Sequence, residues 1–364
     1  MKQASRAWNK KLDKLLKESG LIQSDFDPCV YYEVNNKNIL IVAVYVDYTI
    51  VMSNNKEEKK VFKEKLMKSL KVKDLGEIHH CLGIHVCHDL VHGTISLDQE
   101  KYIEQVLDRF NVSDCNGAVT PLDVNQDLFA DELLPSTDEE RDEMKNIPYQ
   151  EAIGCMMYLA QSTRPDIAHA VGLISRFNTN YGRAHWSAVK RIMRYLSKTR
   201  SLKLVYSRSD DELAGFSDSD WGGDKKDMKS TGYAFILSGA AVSWNSKKKP
   251  TVAKSSTEVE YMALSMAASE AVWLKGIYRE LVPDTNDIMT ICCDNKGAID
   301  LAKNPGYRPR TKHISIQHHF IRDLVDSGDI VVNKVASEHM IADCLTKKLS
   351  KDEHFRCLPG LGLQ

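Results

Sequence analysis

The order of apolar patterns between Leu213 and Lys348 is the feature that most limits what this chain can fold into. Three short strand-like runs come first, and a helical pattern from Thr257 to Leu281 follows, with apolar residues recurring every three or four positions. Further strand and helix patterns follow at Ile288–Cys293, His319–Ser327, Ile330–Ala336 and Ile341–Lys348. This order predicts an α/β (α+β) fold in which a mixed sheet carries helices on its faces.

Four carboxylates stand where these predicted elements begin or end. Asp218 closes the first strand, Glu260 lies in the first turn of the long helix, Asp294 follows the fourth strand, and Asp343 opens the last helix. Each has an ordinary explanation: Glu260 would complete a capping box with Thr257, the two later aspartates suit helix starts, and Asp218 suits a turn.

A different explanation applies if the first and fourth strands are neighbours in the sheet. Asp218 and Asp294 would then lie side by side, and the two helix starts would bring Glu260 and Asp343 into the same patch. Four converging carboxylates do not all stay ionised without cations to neutralise them. Because oxygen ligands suit Mg²⁺, the pattern favours a magnesium site.

Several stretches resemble the Pol polyproteins of copia-type LTR retrotransposons. They are Ser217-Asp218-Ser219-Asp220-Trp221, Lys254–Tyr261, Cys293-Asp294-Asn295-Lys296, Arg310–Ile314 and Ile341–Lys347, and they match the family's ribonuclease H domain. The resemblance implies an RNase H-like sheet in which Asp218, Glu260, Asp294 and Asp343 form the catalytic, metal-binding set. The implied activity is hydrolysis of the RNA strand of an RNA–DNA hybrid with two Mg²⁺ ions, or with Mn²⁺ in their place.

The N-terminal half resembles the same family's reverse transcriptase. Tyr45-Val46-Asp47-Tyr48 stands where the family has Tyr-Val-Asp-Asp, and Thr163–Ile167 matches its connecting region. A neutral tyrosine cannot replace the second aspartate as a metal ligand. The chain also begins after the fingers and the strand with the first catalytic aspartate, so Asp47 is expected to be a remnant and polymerase activity to be lost.

The resemblance and the composition together predict four regions. A truncated palm/thumb-like region occupies 1–125, an acidic linker and helical connection 126–209, the RNase H-like domain 210–351, and a C-terminal tail 352–364. The linker is assigned because Asp127–Glu143 holds eight acidic residues, one arginine and a proline.

Nucleic-acid contacts are expected to be local, because 49 basic and 50 acidic residues leave a net charge of −1. The candidate phosphate contacts are Lys190, Arg191, Arg194, Lys247, Lys248 and Arg310, for which ordinary solvated surface is an equal alternative. His339 stands four residues before Asp343 and would either assist proton transfer or play a structural role.

A second cluster, of histidines and cysteines between His79 and His92, invites a zinc interpretation. On a strand, His85 would share one face with Cys81 and Cys87 while His80 and His88 share the other, so convergence on zinc is not expected.

No apolar run is long enough to cross a bilayer, which predicts an intracellular protein without a membrane partner. The expected partners are an RNA–DNA hybrid or other nucleic acid and the missing parts of a Pol polyprotein. The alternative function is a non-catalytic, decayed transposon remnant that at most binds nucleic acid.

Overall fold

The computed structural model describes residues 2–35, 38–209, 212–220, 230–248, 255–282, 288–304 and 315–364. The chain divides into two compact units, Met1–Ile78 with Glu270–Asp287, and His79–Ser269 with Ile288–Gln364. These units do not coincide with the region boundaries predicted at 125, 209 and 351, which stay predictions. In the described part of the chain, no helix combines the length and the apolarity that crossing a membrane requires.

The first unit is an antiparallel sheet with helices. Its elements are α1 (Lys2–Glu18), β1 (Ile22–Gln23), β2 (Val30–Asn35), β3 (Asn38–Tyr45), β4 (Tyr48–Ser53) and α2 (Lys56–Ser69). The strands lie in the order β1-β2-β3-β4, and the hairpin predicted around residues 35–38 joins β2 to β3. Apolar side chains from the helices and the central strands form the core, among them Leu16, Leu40, Val42 and Phe62.

The second unit begins with a four-stranded sheet and a group of helices. Their bounds are β5 (His80–Cys81), β6 (Ile84–Asp89), β7 (Thr94–Asp98), α3 (Glu100–Arg109), α4 (Asp138–Lys145), α5 (Tyr149–Ser162), α6 (Ala168–Ile174), α7 (Arg183–Lys198) and β8 (Leu204–Ser207). The strand order is β5-β6-β7-β8. The helices enclose a core of apolar side chains, including Tyr149, Met156, Leu159, Ile192 and Leu196.

The acidic segment predicted to be a linker is partly helical. Thr137 and Glu140 form a reciprocal capping box that starts α4, so the segment supplies its own helix-start signal. Leu128 and Met144 at its two ends are buried. Net charge alone therefore failed to predict its structure, because capping and two apolar anchors offset the local repulsion.

The second sheet of this unit is mixed, as the sequence predicted. Its strands, with the helices between and after them, are β9 (Ala214–Asp220), β10 (Ser230–Leu237), β11 (Ala240–Lys248), α8 (Ser256–Leu281), β12 (Met289–Cys293), α9 (Lys296–Lys303), α10 (Ser315–Asp326), β13 (Ile330–Lys334) and α11 (Lys351–Gly360). Of α8, only the part up to Ser269 belongs to this unit. The strand order is β11-β10-β9-β12-β13. The first three strands are antiparallel, and β12 runs parallel to both β9 and β13. The first and fourth strands of this sheet are therefore neighbours, as the four-carboxylate hypothesis required.

The predicted C-terminal tail is a core element. α11 buries His354, Cys357 and Leu358, and Leu363 pairs with Leu204 of β8 in an isolated bridge. These side chains pack in one cluster with residues of the mixed sheet such as Ala240. The sequence predicted a tail at residues 352–364 because α11 is short. A helix of this length is marginally stable in isolation, and burial of its side chains in the fold stabilises it.

Candidate active site

Asp218 lies inside strand β9, which continues to Asp220 instead of ending at Asp218 as predicted. Its side chain is fully buried. The carboxylate accepts hydrogen bonds from the hydroxyl of Thr346 and from Nζ of Lys347, the latter at 3.2 Å. The partner of Asp218 on the adjacent strand is Gly232. A Cβ at Gly232 would meet Cβ of Leu345 at 2.8 Å, so only glycine lets the 3-10 turn Ile341–Leu345 approach the sheet here.

Asp294 is placed next to β9 by parallel strand pairing. Cys293, the last residue of β12, pairs with Ser217, so the next residue lies beside Asp218. The helix-cap role that Asp294 would have filled belongs to Asn295, whose side chain accepts from the Ala298 amide at 3.0 Å. Asp294 instead accepts a 2.8 Å hydrogen bond from Ser337.

Glu260 comes from the first turns of α8 and is buried, with 7% of its surface exposed. Ser255 caps the helix by accepting from the Glu258 amide at 3.3 Å, so the predicted Thr257–Glu260 capping box is not needed. In the described part of the chain, Oε2 of Glu260 has no hydrogen-bond partner. A buried carboxylate oxygen left in this state is costly unless a cation binds it.

Asp343 lies within the 3-10 turn Ile341–Leu345, where a helix had been predicted. Its carboxylate is 2.8 Å from Nζ of Lys347. The same ammonium contacts Asp218, so Lys347 bridges the two aspartates. All four predicted carboxylates are thus brought to one end of the mixed sheet.

Burial and mutual repulsion raise the pKa values of the two most enclosed carboxyls. Burial raises the pKa of Asp218 to about 7, against the attraction of Lys347 and with the added repulsion of Asp343 and Asp294. Burial raises the pKa of Glu260 to about 8, with the charges of Asp218 and Asp294 acting in the same direction. In the metal-free chain, burial and repulsion therefore favour the protonated form of both carboxyls up to a higher pH than for an exposed carboxyl.

The donor set fits a hard divalent cation. One ligand atom each from Glu260, Asp294 and Cys293 lies within 4.8 Å of the others, and this is the one group of three such side chains found in the described residues. The buried Oε2 of Glu260, which has no hydrogen-bond partner among the described residues, is a suitable ligand atom for such a cation. Carboxylate oxygens suit Mg²⁺ and Mn²⁺, whereas the Cys293 thiol is buried and burial raises its pKa to about 12, which keeps it protonated.

Asp47, which the sequence predicts to be a polymerase remnant, lies at the tip of the β3–β4 hairpin in the first unit. Asp47 is exposed, and Tyr48 pairs with Tyr45 at the turn with 55% of its surface exposed. No group of three metal-ligating side chains in the described residues includes Asp47.

The basic residues predicted to contact phosphates differ in their surroundings. Lys190 and Lys247 are exposed, and Lys248 is exposed with a pKa lowered by partial burial and by nearby Arg176. Arg191 donates to Thr120 and pairs with Asp123 at 3.3 Å, and Arg194 donates to the Asn116 carbonyl at 2.6 Å. These two arginines therefore already bind a segment of their own chain. Arg310 lies outside the described residues.

The predicted separation of the histidines by strand face is wrong for one pair. β5 and β6 form a hairpin, so His80 pairs with His85 and their rings lie 5.0 Å apart on one face. His85 bonds Asp98 at 2.9 Å. The prediction treated one hairpin as one strand. His339 is exposed beside Glu338 and lies 3.7 Å from it.

Among the described residues, Asp218, Asp294 and Asp343 contact side chains that were not predicted from the sequence, namely Lys347, Thr346 and Ser337. Of these, Lys347 had a visible signal, because an aspartate and a lysine four residues apart commonly pair. Ser337 and Thr346 had none, since their contacts with Asp294 and Asp218 depend on chain packing.

Comparisons with known proteins agree with the sequence resemblance. The reverse transcriptase (RNA-dependent DNA polymerase) family model matches residues 1–124. The retrovirus-related Pol polyprotein from transposon TNT 1-94 of Nicotiana tabacum is 40% identical over all of this chain and 27% of its own length. The putative transposon Ty5-1 protein of Saccharomyces cerevisiae is 32% identical over 74% of this chain and 86% of its own length. The chain spans about a quarter of the length of the Pol polyproteins it matches.

Among solved structures, the N-terminal RNase H domain of a Mycobacterium tuberculosis protein, solved as a fusion with maltose binding protein, covers 40% of this chain and 96% of that chain. The sequence identity is 12% and the TM-score is 0.28. A likeness of this size adds nothing to the topology described above.

Proposed function

The chain belongs to the family of copia-type retrotransposon Pol polyproteins, and from this premise we propose that its second compact unit hydrolyses the RNA strand of RNA–DNA hybrids. The residues proposed to hold divalent metal ions for this reaction are Asp218, Glu260, Asp294 and Asp343. The observation that carries the proposal is the placement of these carboxylates at one end of the mixed sheet: Glu260 and Asp294 approach each other, and Lys347 bridges Asp218 and Asp343. Oε2 of Glu260 is buried there and has no hydrogen-bond partner among the described residues.

The chemistry that divalent ions supply in such a site is activation of the attacking water and stabilisation of the leaving 3′ oxygen. The chain's own residues prepare the place for it. Ser337 holds one oxygen of Asp294, Thr346 and Lys347 hold Asp218, and Gly232 lets the segment carrying Asp343 reach the sheet. The buried position of Asp218 and Glu260 excludes water from their carboxylates and strengthens the attraction of any cation.

The proposed substrate is a hybrid and not a particular sequence. The protein is expected to recognise the A-like geometry of the hybrid and the 2′-hydroxyl groups of its RNA strand. Cleavage should therefore be largely independent of base identity. The exposed lysines Lys190 and Lys247 remain proposed phosphate contacts, because their side chains face solvent.

Polymerisation by this chain is not part of the proposal. Nucleotidyl transfer with two metal ions needs several carboxylates, and Tyr48 puts a phenol beside Asp47. The exposed hairpin tip supports this view, since Asp47 has no metal-ligating group of three around it in the described residues.

The test is a cleavage assay with the purified full chain and a hybrid labelled on either strand. With Mg²⁺ or Mn²⁺ we expect cuts in the RNA strand alone, and none in EDTA. A hybrid whose RNA strand carries a block of deoxynucleotides should resist cleavage within the block. Cleavage that persists in EDTA, or cuts in the DNA strand at equal rate, would contradict the proposal.

A further inference from the structure

Lys347 places a positive charge inside the carboxylate cluster. Its Nζ lies 3.2 Å from both carboxylate oxygens of Asp218 and 2.8 Å from Oδ1 of Asp343. In the described part of the chain, no other ion pair reaches any of the four carboxylates. The ammonium therefore lies between the two aspartates and neutralises part of their charge.

The two halves of the cluster differ in what they offer a cation. On the Glu260–Asp294 side, a buried carboxylate oxygen has no partner among the described residues. On the Asp218–Asp343 side, both carboxylates already share the Lys347 ammonium. The Glu260–Asp294 side therefore offers a carboxylate oxygen to a cation, whereas the Lys347 ammonium already neutralises the Asp218–Asp343 side.

We propose that Lys347 is a tethered cation that a divalent metal ion must displace from Asp218 and Asp343, so that the two metal positions differ in affinity. This inference rests on the proposed function for the identity of the metal ligands. The first ion is expected on the Glu260–Asp294 side, and the second only at a higher concentration. Occupancy of the second position then depends on the free metal concentration.

The geometry makes displacement feasible. The Lys347 side chain is 32% exposed, so its ammonium can turn into solvent by rotation of its own four-carbon chain without repacking the core. Because Lys347 follows Asp343 by four residues, the tether keeps the ammonium close after displacement. A tethered monovalent charge competes through its high local concentration, whereas a free divalent ion competes through its larger charge.

The experiment measures Mn²⁺ binding to the full chain by the electron paramagnetic resonance of free Mn²⁺ and by titration calorimetry. The variant Lys347→Met removes the charge and keeps a side chain of similar length. We expect Mn²⁺ to bind its weaker position roughly tenfold or more tightly than in the unchanged chain. Lys347→Arg keeps the charge and should stay close to the unchanged chain.

The matched control is Lys348→Met, which removes the same charge one residue along the chain. Lys348 donates to the Gln126 carbonyl at 2.6 Å and not to the cluster, so its loss should change Mn²⁺ affinity by no more than about twofold. If Lys347→Met and Lys348→Met tighten Mn²⁺ binding equally, the change comes from the net charge of the protein and not from the position of Lys347. That result overturns the inference.

Asp294→Asn separates this inference from the proposed function. If it weakens Mn²⁺ binding while Lys347→Met changes nothing, the metal site stands and the tethered cation is wrong. If no chain binds Mn²⁺, both fail. Should Lys347→Met be too unstable to titrate, its melting temperature provides the second measurement. The inference requires Mn²⁺ to raise the melting temperature of Lys347→Met more than that of the unchanged chain. An equal or smaller rise in the melting temperature of the variant overturns it.

Discussion

Gly232 lies directly opposite Asp218 across the β9–β10 ladder, and it is the residue that leaves room for the segment carrying Asp343. A methyl group here would stand 2.8 Å from Cβ of Leu345 and 2.9 Å from Cγ2 of Thr346. Neither atom is the free end of a flexible side chain. The approach of that segment to the sheet therefore depends on the absence of a side chain.

Gly232→Ala is expected to lower hybrid cleavage at least about tenfold by moving Thr346 and the neighbouring Asp343 away from Asp218. Gly154→Ala is the control, because a Cβ at Gly154 in α5 meets nothing within 4 Å and alanine favours a helix. The measurement is cleavage rate beside thermal unfolding. Full activity in Gly232→Ala would mean that the segment tolerates displacement.

Asp294→Asn should reduce hybrid cleavage by about a hundredfold or more while the fold is kept, because it removes a ligand charge with almost no change in volume. The assay is single-turnover cleavage at saturating Mg²⁺. Asp300→Asn, in the helix that follows, is the control and should cleave at the unchanged rate. Equal rates for the two variants would remove Asp294 from the site.

The stability of the metal-free protein should fall as pH rises from about 6.5 to about 8.5. Asp218 and Glu260 have pKa values raised to about 7 and about 8, so the folded chain still binds protons that the unfolded chain has lost. The free energy of unfolding therefore decreases until both carboxyls have ionised. Urea unfolding in EDTA at several pH values measures this slope.

Two variations of the same experiment test its cause. Glu260→Gln should flatten the slope, since the amide does not titrate, and added Mn²⁺ should flatten it by neutralising the carboxylates. A stability that rises with pH across this window in the metal-free chain would show that the cluster is solvated and not repulsive.

Neither the chain nor its Tyr48→Asp variant is expected to extend a primer on an RNA template. The substitution restores one carboxylate beside Asp47, yet no metal-ligating group of three includes Asp47 in the described residues. Primer extension at high Mn²⁺, with protein purified free of other polymerases, is the measurement. Template-dependent products from either protein would show that the hairpin still assembles a metal site.

A buried ion pair in the second unit is expected to be a stability determinant. Arg164 and Asp166 are both fully enclosed and share two hydrogen bonds, at 2.9 Å and 2.7 Å, and Tyr195 donates to Asp166 at 2.7 Å. Arg164→Met leaves a buried carboxylate unpaired, which should cost about 3–5 kcal/mol of unfolding free energy.

The control for that prediction is Arg109→Met. Arg109 pairs with Glu151 at the surface, with both side chains about half exposed, so its loss should cost less than about 1 kcal/mol. Chemical denaturation measures both variants. A loss of similar size in the two would mean that the buried pair is compensated by its neighbours.

The order of strands and helices was predictable because their periodicities are local properties of the sequence. The placement of Asp294 beside Asp218 also followed, since it needs only that the first and fourth strands be neighbours. The bridge from Lys347 to Asp218 was not predictable, because it depends on how the turn at Ile341–Leu345 meets the sheet. The burial of α11 was missed for a different reason, because a ten-residue helix gives little periodic signal.

The four carboxylates come from β9, α8, the end of β12 and the turn after β13, and so from residue 218 to residue 343 of the chain. Closing loops of that length is entropically slow, so the four carboxylates do not converge on an ion before the sheet has formed. Metal ions that bind this cluster are therefore not expected to nucleate folding of the unit. They are expected to act on the finished structure, slowing its unfolding while leaving the rate of folding almost unchanged.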